Sequence, residues 1–85
     1  MSSDESDRSR LTRDIHAMPD DIRQALSTRG VMEAYRRRPP YQQNDYVGWI
    51  TRAKLPATRA RRLAQMLDEL ERGGIYMHMT WHGER

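Results

Sequence analysis

The sequence of 85 residues contains no cysteine and no phenylalanine. Without cysteine there are no disulfides, thiolate metal ligands or cysteine nucleophiles, a composition suited to a reducing compartment. Without phenylalanine, the core must come from two Trp, four Tyr, six Met and the aliphatic residues. Long hydrophobic runs are missing too, and no stretch approaches the ~18 apolar residues of a membrane span. The opening MSSDESDRSR lacks the apolar segment of a secretory signal. A protein with no membrane span, expected in the cytoplasm, follows from these absences. The length suits one small domain, which buries only a modest share of its surface and must use each apolar residue economically.

The formal net charge is +3 and unevenly spread. Residues 1–19 carry −1, 20–38 carry +2, 39–62 carry +4 and 63–85 carry −2. A basic middle beside an acidic end can steer an anionic partner, although such asymmetry is also common on an ordinary solvated surface.

Residues 1–18 read as a disordered or loosely docked tail, because their first half has too few apolar residues to offset ordering entropy. Leu11, Ile15 and Met18 form a short apolar patch at helical spacing. Pro19-Asp20-Asp21 is a helix start, with proline tolerated in the first turn and two carboxylates at the positive end of the dipole. Ile22, Ala25 and Leu26 give an apolar stripe, and Gly30 provides a left-handed stop. Val31, Ala34 and Tyr35 suggest a short helical piece running into Arg36-Arg37-Arg38. Pro39-Pro40 ends it, since a residue before proline is pushed out of the helical region. The arginine triplet suits a helix C-terminus, with a phosphate-binding patch as the sharper alternative.

A longer helix is expected over 41–54, with Tyr46, Trp49, Ile50 and Ala53 on one face and Gly48 offering close approach to another backbone. After the Leu55-Pro56 break, Ala60, Leu63, Ala64, Leu67 and Leu70 give the clearest helical period in the chain. The outer face would carry Arg61, Arg62, Gln65, Asp68, Glu69 and Arg72, with Asp68 and Arg72 as an i,i+4 pair. Gly73-Gly74 ends this helix. In the tail, Ile75, Met77, Met79 and Trp81 alternate with polar or smaller neighbours as in a strand, but no second strand candidate is evident. The tail is expected to fold back over the helices, with pairing to another protein's sheet edge as the alternative.

The run DYVGWITRAKLPATRARR, from Asp45 to Arg62, resembles the signature of the YdeI/OmpD-associated (bacteriocin-protection) family of bacterial proteins. Tyr46, Trp49, Ile50, Ala53, Lys54, Pro56, Thr58, Arg59 and Arg62 fall in its register, while Ala57 stands where the family commonly has Glu. The resemblance covers roughly residues 39–74. It implies a role in resistance to bacteriocins or antimicrobial peptides and association with the envelope. It implies no catalytic residues and no cofactor. Many members carry a further domain before this one, and functions residing there do not transfer.

His78 and His82 lie four apart but on an extended segment, with no third ligand at metal-site spacing. No phosphate-cradling glycine loop is present, and Asp45 is a lone carboxylate. Thr58 and Arg59 have a structural reading, local backbone bonding and a pair with Asp45, beside a functional one. The functional reading is an anion or partner site at the helix start, built from Lys54, Thr58, Arg59, Arg61 and Arg62.

These readings give an all-α fold, a small bundle of three main helical units over 19–74 with an extended C-terminal tail over 75–85. The expected core is Ile22, Leu26, Val31, Tyr35, Tyr46, Trp49, Ile50, Ala53, Ala60, Leu63, Leu67 and Leu70. The expected function is a non-enzymatic interaction module with an unidentified protein partner. The alternative is a small basic nucleic-acid-binding module, since helix, short link and basic helix start loosely resemble a helix-turn-helix. Against that stand Pro56 in the link and the acidic Asp68, Glu69 and Glu71 at the far end of the helix.

Overall fold

The computed structural model describes residues 16–81. The expected N-terminal tail, including Leu11 and Ile15, lies almost wholly outside the described residues, as does His82. Four helices and one small hairpin are described: α1 (Asp20–Arg29), α2 (Met32–Arg37), α3 (Pro40–Thr51), α4 (Pro56–Arg72), β1 (Ile75–Tyr76) and β2 (Met79–Thr80). The all-α reading holds, with the short α2 as a helix of its own.

Each helix boundary has a local cause. Pro19 is extended at the start of α1, where Asp20 and Asp21 occupy the first turn. Gly30 closes α1 at φ 79°, and its N–H reaches the carbonyls of Leu26 and Ser27. Arg38 is extended before Pro39 and ends α2. Gln43 Nε2 then donates to the carbonyls of Arg38 (2.8 Å) and Arg36 (3.3 Å), satisfying backbone acceptors at that break. α3 stops at Thr51, three residues short of the expected end. There the Thr51 hydroxyl turns back onto the Val47 carbonyl at 2.8 Å, and Ala53 N–H makes a tight turn to Ile50.

α4 is the central element, packing against α1, α2, α3 and β1. The core is Ile22, Leu26, Val31, Tyr35, Tyr46, Val47, Ile50, Met66, Leu67 and Leu70. Four expected members sit differently: Trp49, Ala53 and Leu63 are half-buried and Ala60 is exposed. α4 is rotated so that Met66 faces inward in place of the alanine edge of the stripe. A methionine has more apolar area to remove from water than an alanine, so the larger side chain decides the rotation. The same rotation buries Glu69, which had been expected on the outer face. Gly48 faces the His16 ring rather than another backbone, and a Cβ there would lie 2.7 Å from Nε2.

The tail also departs from the single extended segment expected. It doubles back as an antiparallel hairpin with Ile75 opposite Thr80 and Tyr76 opposite Met79. Met77 and His78 form its two-residue turn at φ 52° and 68°, left-handed values at both central positions. Residues other than Gly, Asn or Asp are uncommon there, so other contacts must hold the turn. Those contacts come from α4.

Candidate functional site

Two buried charged side chains join the hairpin to the helices. Glu69 is 4% exposed, and its carboxylate accepts hydrogen bonds from Met77 N–H (2.7 Å), His78 N–H (2.8 Å) and Gln65 Nε2 (3.0 Å). The Tyr46 hydroxyl donates to the same carboxylate. Glu69 thus collects both amides of the left-handed turn, which explains how two non-glycine residues are kept there. Arg38, 3% exposed, donates to Gln42 Oε1 (3.0 Å), the Glu69 carbonyl (3.2 Å) and the Ile75 carbonyl (2.9 Å). Its guanidinium lies 4.6 Å from the centre of the Trp81 ring, a cation–π contact that pins the end of the hairpin. Tyr76 packs edge-on against Tyr46 and Tyr41, and its hydroxyl donates to Asp45 at 2.7 Å.

Burial, and then the hydrogen bond and negative charge of Glu69, hold the Tyr46 phenol well above its usual 10.0. Burial alone raises Tyr35. A raised folded-state value favours the protonated form, so the Tyr46 contribution to stability is complete below pH ~10 and is lost as pH rises toward the folded value. Tyr46 is therefore expected to ionise only together with loss of helical signal in an alkaline titration followed at 295 nm. Reversible ionisation of Tyr46 near pH 10 in an intact fold would contradict this placement.

The basic residues at the start of α4 do not form one cluster. Arg59 pairs with Asp21 in the first turn of α1 at 3.1 Å, not with Asp45. Arg62 donates to the Trp49 carbonyl at 2.7 Å and lies 5.3 Å from the centre of its ring. It thus serves a carbonyl in the last turn of α3, where intrahelical partners run out. Thr58 is half-buried, while Lys54 and Arg61 are exposed. Of the tail residues, Met77 packs against the core, Trp81 lies under Arg38, Ile75 is half-buried, and Met79 is 58% exposed. Arg29 bridges Asp68 and Glu71, each at 2.8 Å, which replaces the expected Asp68–Arg72 pair.

What the arrangement leaves open is a groove of about 450 Å³ between the outer face of α4 and the hairpin. Arg61, Gln65, Asp68 and Arg72 line it from α4 at i, i+4, i+7 and i+11, and Ile75 and His78 close the other side. The sequence signalled half of this wall through the polar face of α4. The hairpin wall was missed because it depends on Glu69 and Arg38, which read from sequence as solvated charges. The one hint was position: Glu69 stands three residues after Met66 and next to Leu70, at the margin of the buried face.

Among the described residues no three His, Asp or Glu side chains converge as metal ligands, and no helix is long and apolar enough to cross a membrane. No curated protein and no solved structure matches the chain. A family model described as "Bacteriocin-protection, YdeI or OmpD-Associated" matches residues 16–73, taking in α1 and α2 as well as the signature on α3 and α4. With more than half of its length matched, the chain belongs to the bacteriocin-protection, YdeI or OmpD-associated family.

Proposed function

We propose that this chain is a non-enzymatic protein-interaction module in a bacterial response that protects the envelope against bacteriocins or antimicrobial peptides, acting from the cytoplasm. Family membership supports the pathway. The observation that carries the mechanism is the contrast between the spent interior and the open groove. Arg38, Glu69 and Tyr46 have their donors and acceptors engaged in holding the hairpin. The groove beside them joins apolar surface from Ala64 and Ile75 to exposed charges from α4, a mixture suited to a protein segment. The nucleic-acid alternative is weakened because Arg59 and Arg62 are drawn into contacts within the chain.

The test is complementation of a deletion strain challenged with bacteriocin or cationic peptide. Wild-type protein is expected to restore survival. Ala64→Trp, which fills the groove from an exposed position, should fail to restore it while keeping the wild-type melting temperature. Full rescue by the filled variant would exclude the groove, and normal resistance of the deletion strain would exclude the pathway.

A further inference from the structure

Among the described residues, the negative charges around the groove are engaged, whereas two of its positive charges are in no ion pair. Asp68 is held by Arg29 at 2.8 Å, and the Glu69 carboxylate is occupied by its four donors. Among the described residues, no carboxylate lies within ion-pair distance of Arg61 or Arg72, and both are exposed. They stand at opposite ends of the α4 wall, ~16 Å apart along the axis by the rise of 1.5 Å per residue. Ala64 and Ile75 supply apolar surface between them.

We propose that the groove receives an extended acidic segment of a partner protein, with one carboxylate on Arg61 and a second, four residues away on the same face of the segment, on Arg72. This rests on the interaction-module reading and names the chemistry of its partner. An extended chain advances ~3.3 Å per residue and turns alternate side chains to one face, so carboxylates four residues apart stand ~13 Å apart on one side, and the long arginine side chains take up the rest of the distance. A guanidinium takes a carboxylate through two parallel hydrogen bonds, which fixes direction as well as charge. The residues between the two carboxylates can be neutral, leaving Asp68 and its Arg29 partner undisturbed. A nucleic-acid strand cannot do this, because its phosphates recur at every nucleotide and would place negative charge against Asp68.

Fluorescence anisotropy with short labelled peptides tests the proposal on the full chain. The probe carries two glutamates four positions apart among Ala, Ser and Gly, and its twin has glutamine at both positions. The glutamate peptide is expected to bind at least ~tenfold tighter than its twin at low salt, with the preference fading as salt rises. Arg61→Gln/Arg72→Gln should abolish the preference without lowering the melting temperature. Equal binding of the twins, or a preference that survives the double substitution, overturns the proposal. So does a single-stranded oligonucleotide that binds more tightly than the glutamate peptide and is lost in the same variant. If the double variant still captures the native partner from lysate, the acidic-segment proposal fails and the module reading stands. If the glutamate peptide binds as expected while the deletion strain remains fully resistant, the groove chemistry holds and the proposed pathway is what fails.

Discussion

Glu69→Ala is expected to lower the stability of the fold by ~3–4 kcal/mol, seen as an earlier midpoint in urea denaturation followed by helical circular dichroism. Domains of this size have roughly 4–13 kcal/mol in total, so the variant should be near the edge of folding at 37 °C. The cost arises less from the hydrogen bonds themselves than from what their loss leaves behind. The Tyr46 hydroxyl, in a fully buried side chain, loses its acceptor. The amides of Met77 and His78 lose theirs while still held in left-handed backbone. A buried donor without a partner costs its full desolvation penalty, which exceeds the net worth of a satisfied bond. Glu71→Ala provides the contrast, because its partner Arg29 is shared with Asp68 at the surface and water replaces the contact. A midpoint for Glu69→Ala no lower than that of Glu71→Ala would mean that Glu69 does not hold the turn.

The helices were legible in the sequence because their boundaries rest on local chemistry. Pro19, Gly30, Pro39-Pro40, Pro56 and Gly73 each act within one turn of their own position, through a fixed φ, a missing N–H or tolerance of φ above zero. The rotation of α4 was less legible. The leucines at 63, 67 and 70 leave the stripe open on both sides, and the side that turns inward toward α1, α2 and α3 is the one where Met66, rather than Ala60 or Ala64, has the larger apolar surface to bury. The strand character of 75–81 and its return onto the helices were legible in the alternation, but the pairing and the turn of the hairpin were not. Its turn residues, Met77 and His78, oppose the usual preference for Asn-Gly or Asp-Gly. They adopt it because Glu69, eight and nine positions earlier, accepts both amides.

The candidate site shows the same division. Lys54, Thr58, Arg59, Arg61 and Arg62 are close together in sequence, but helical geometry turns them in different directions. Arg59 faces α1, Arg62 faces the end of α3, and Arg61 faces the groove. The family signature thus contains residues that tie helices together. Trp49 and Arg62 clasp α3 to α4, and Arg59 ties α4 to α1. Arg38, the last of an arginine triplet, looked like a helix-end charge. Its burial depends on the carbonyls of Glu69 and Ile75, more than thirty residues away, and no local pattern could supply them.

The C-terminal hairpin is an integral part of this domain and forms one wall of its groove. Ending the chain at Gly74 tests it most directly. The truncated protein would lose Tyr76 from the Tyr46 ring, Met77 from the core edge, Trp81 from the Arg38 guanidinium, and two donors from Glu69. Burial of those side chains and the lost hydrogen bonds amount to ~3–5 kcal/mol after ordering costs. In a domain of this length, that corresponds to a melting temperature at least ~12 °C lower. Thermal unfolding of the two chains, followed by circular dichroism, gives the answer. A fall of that size is the predicted result, and a melting temperature equal to that of the full chain would contradict the account.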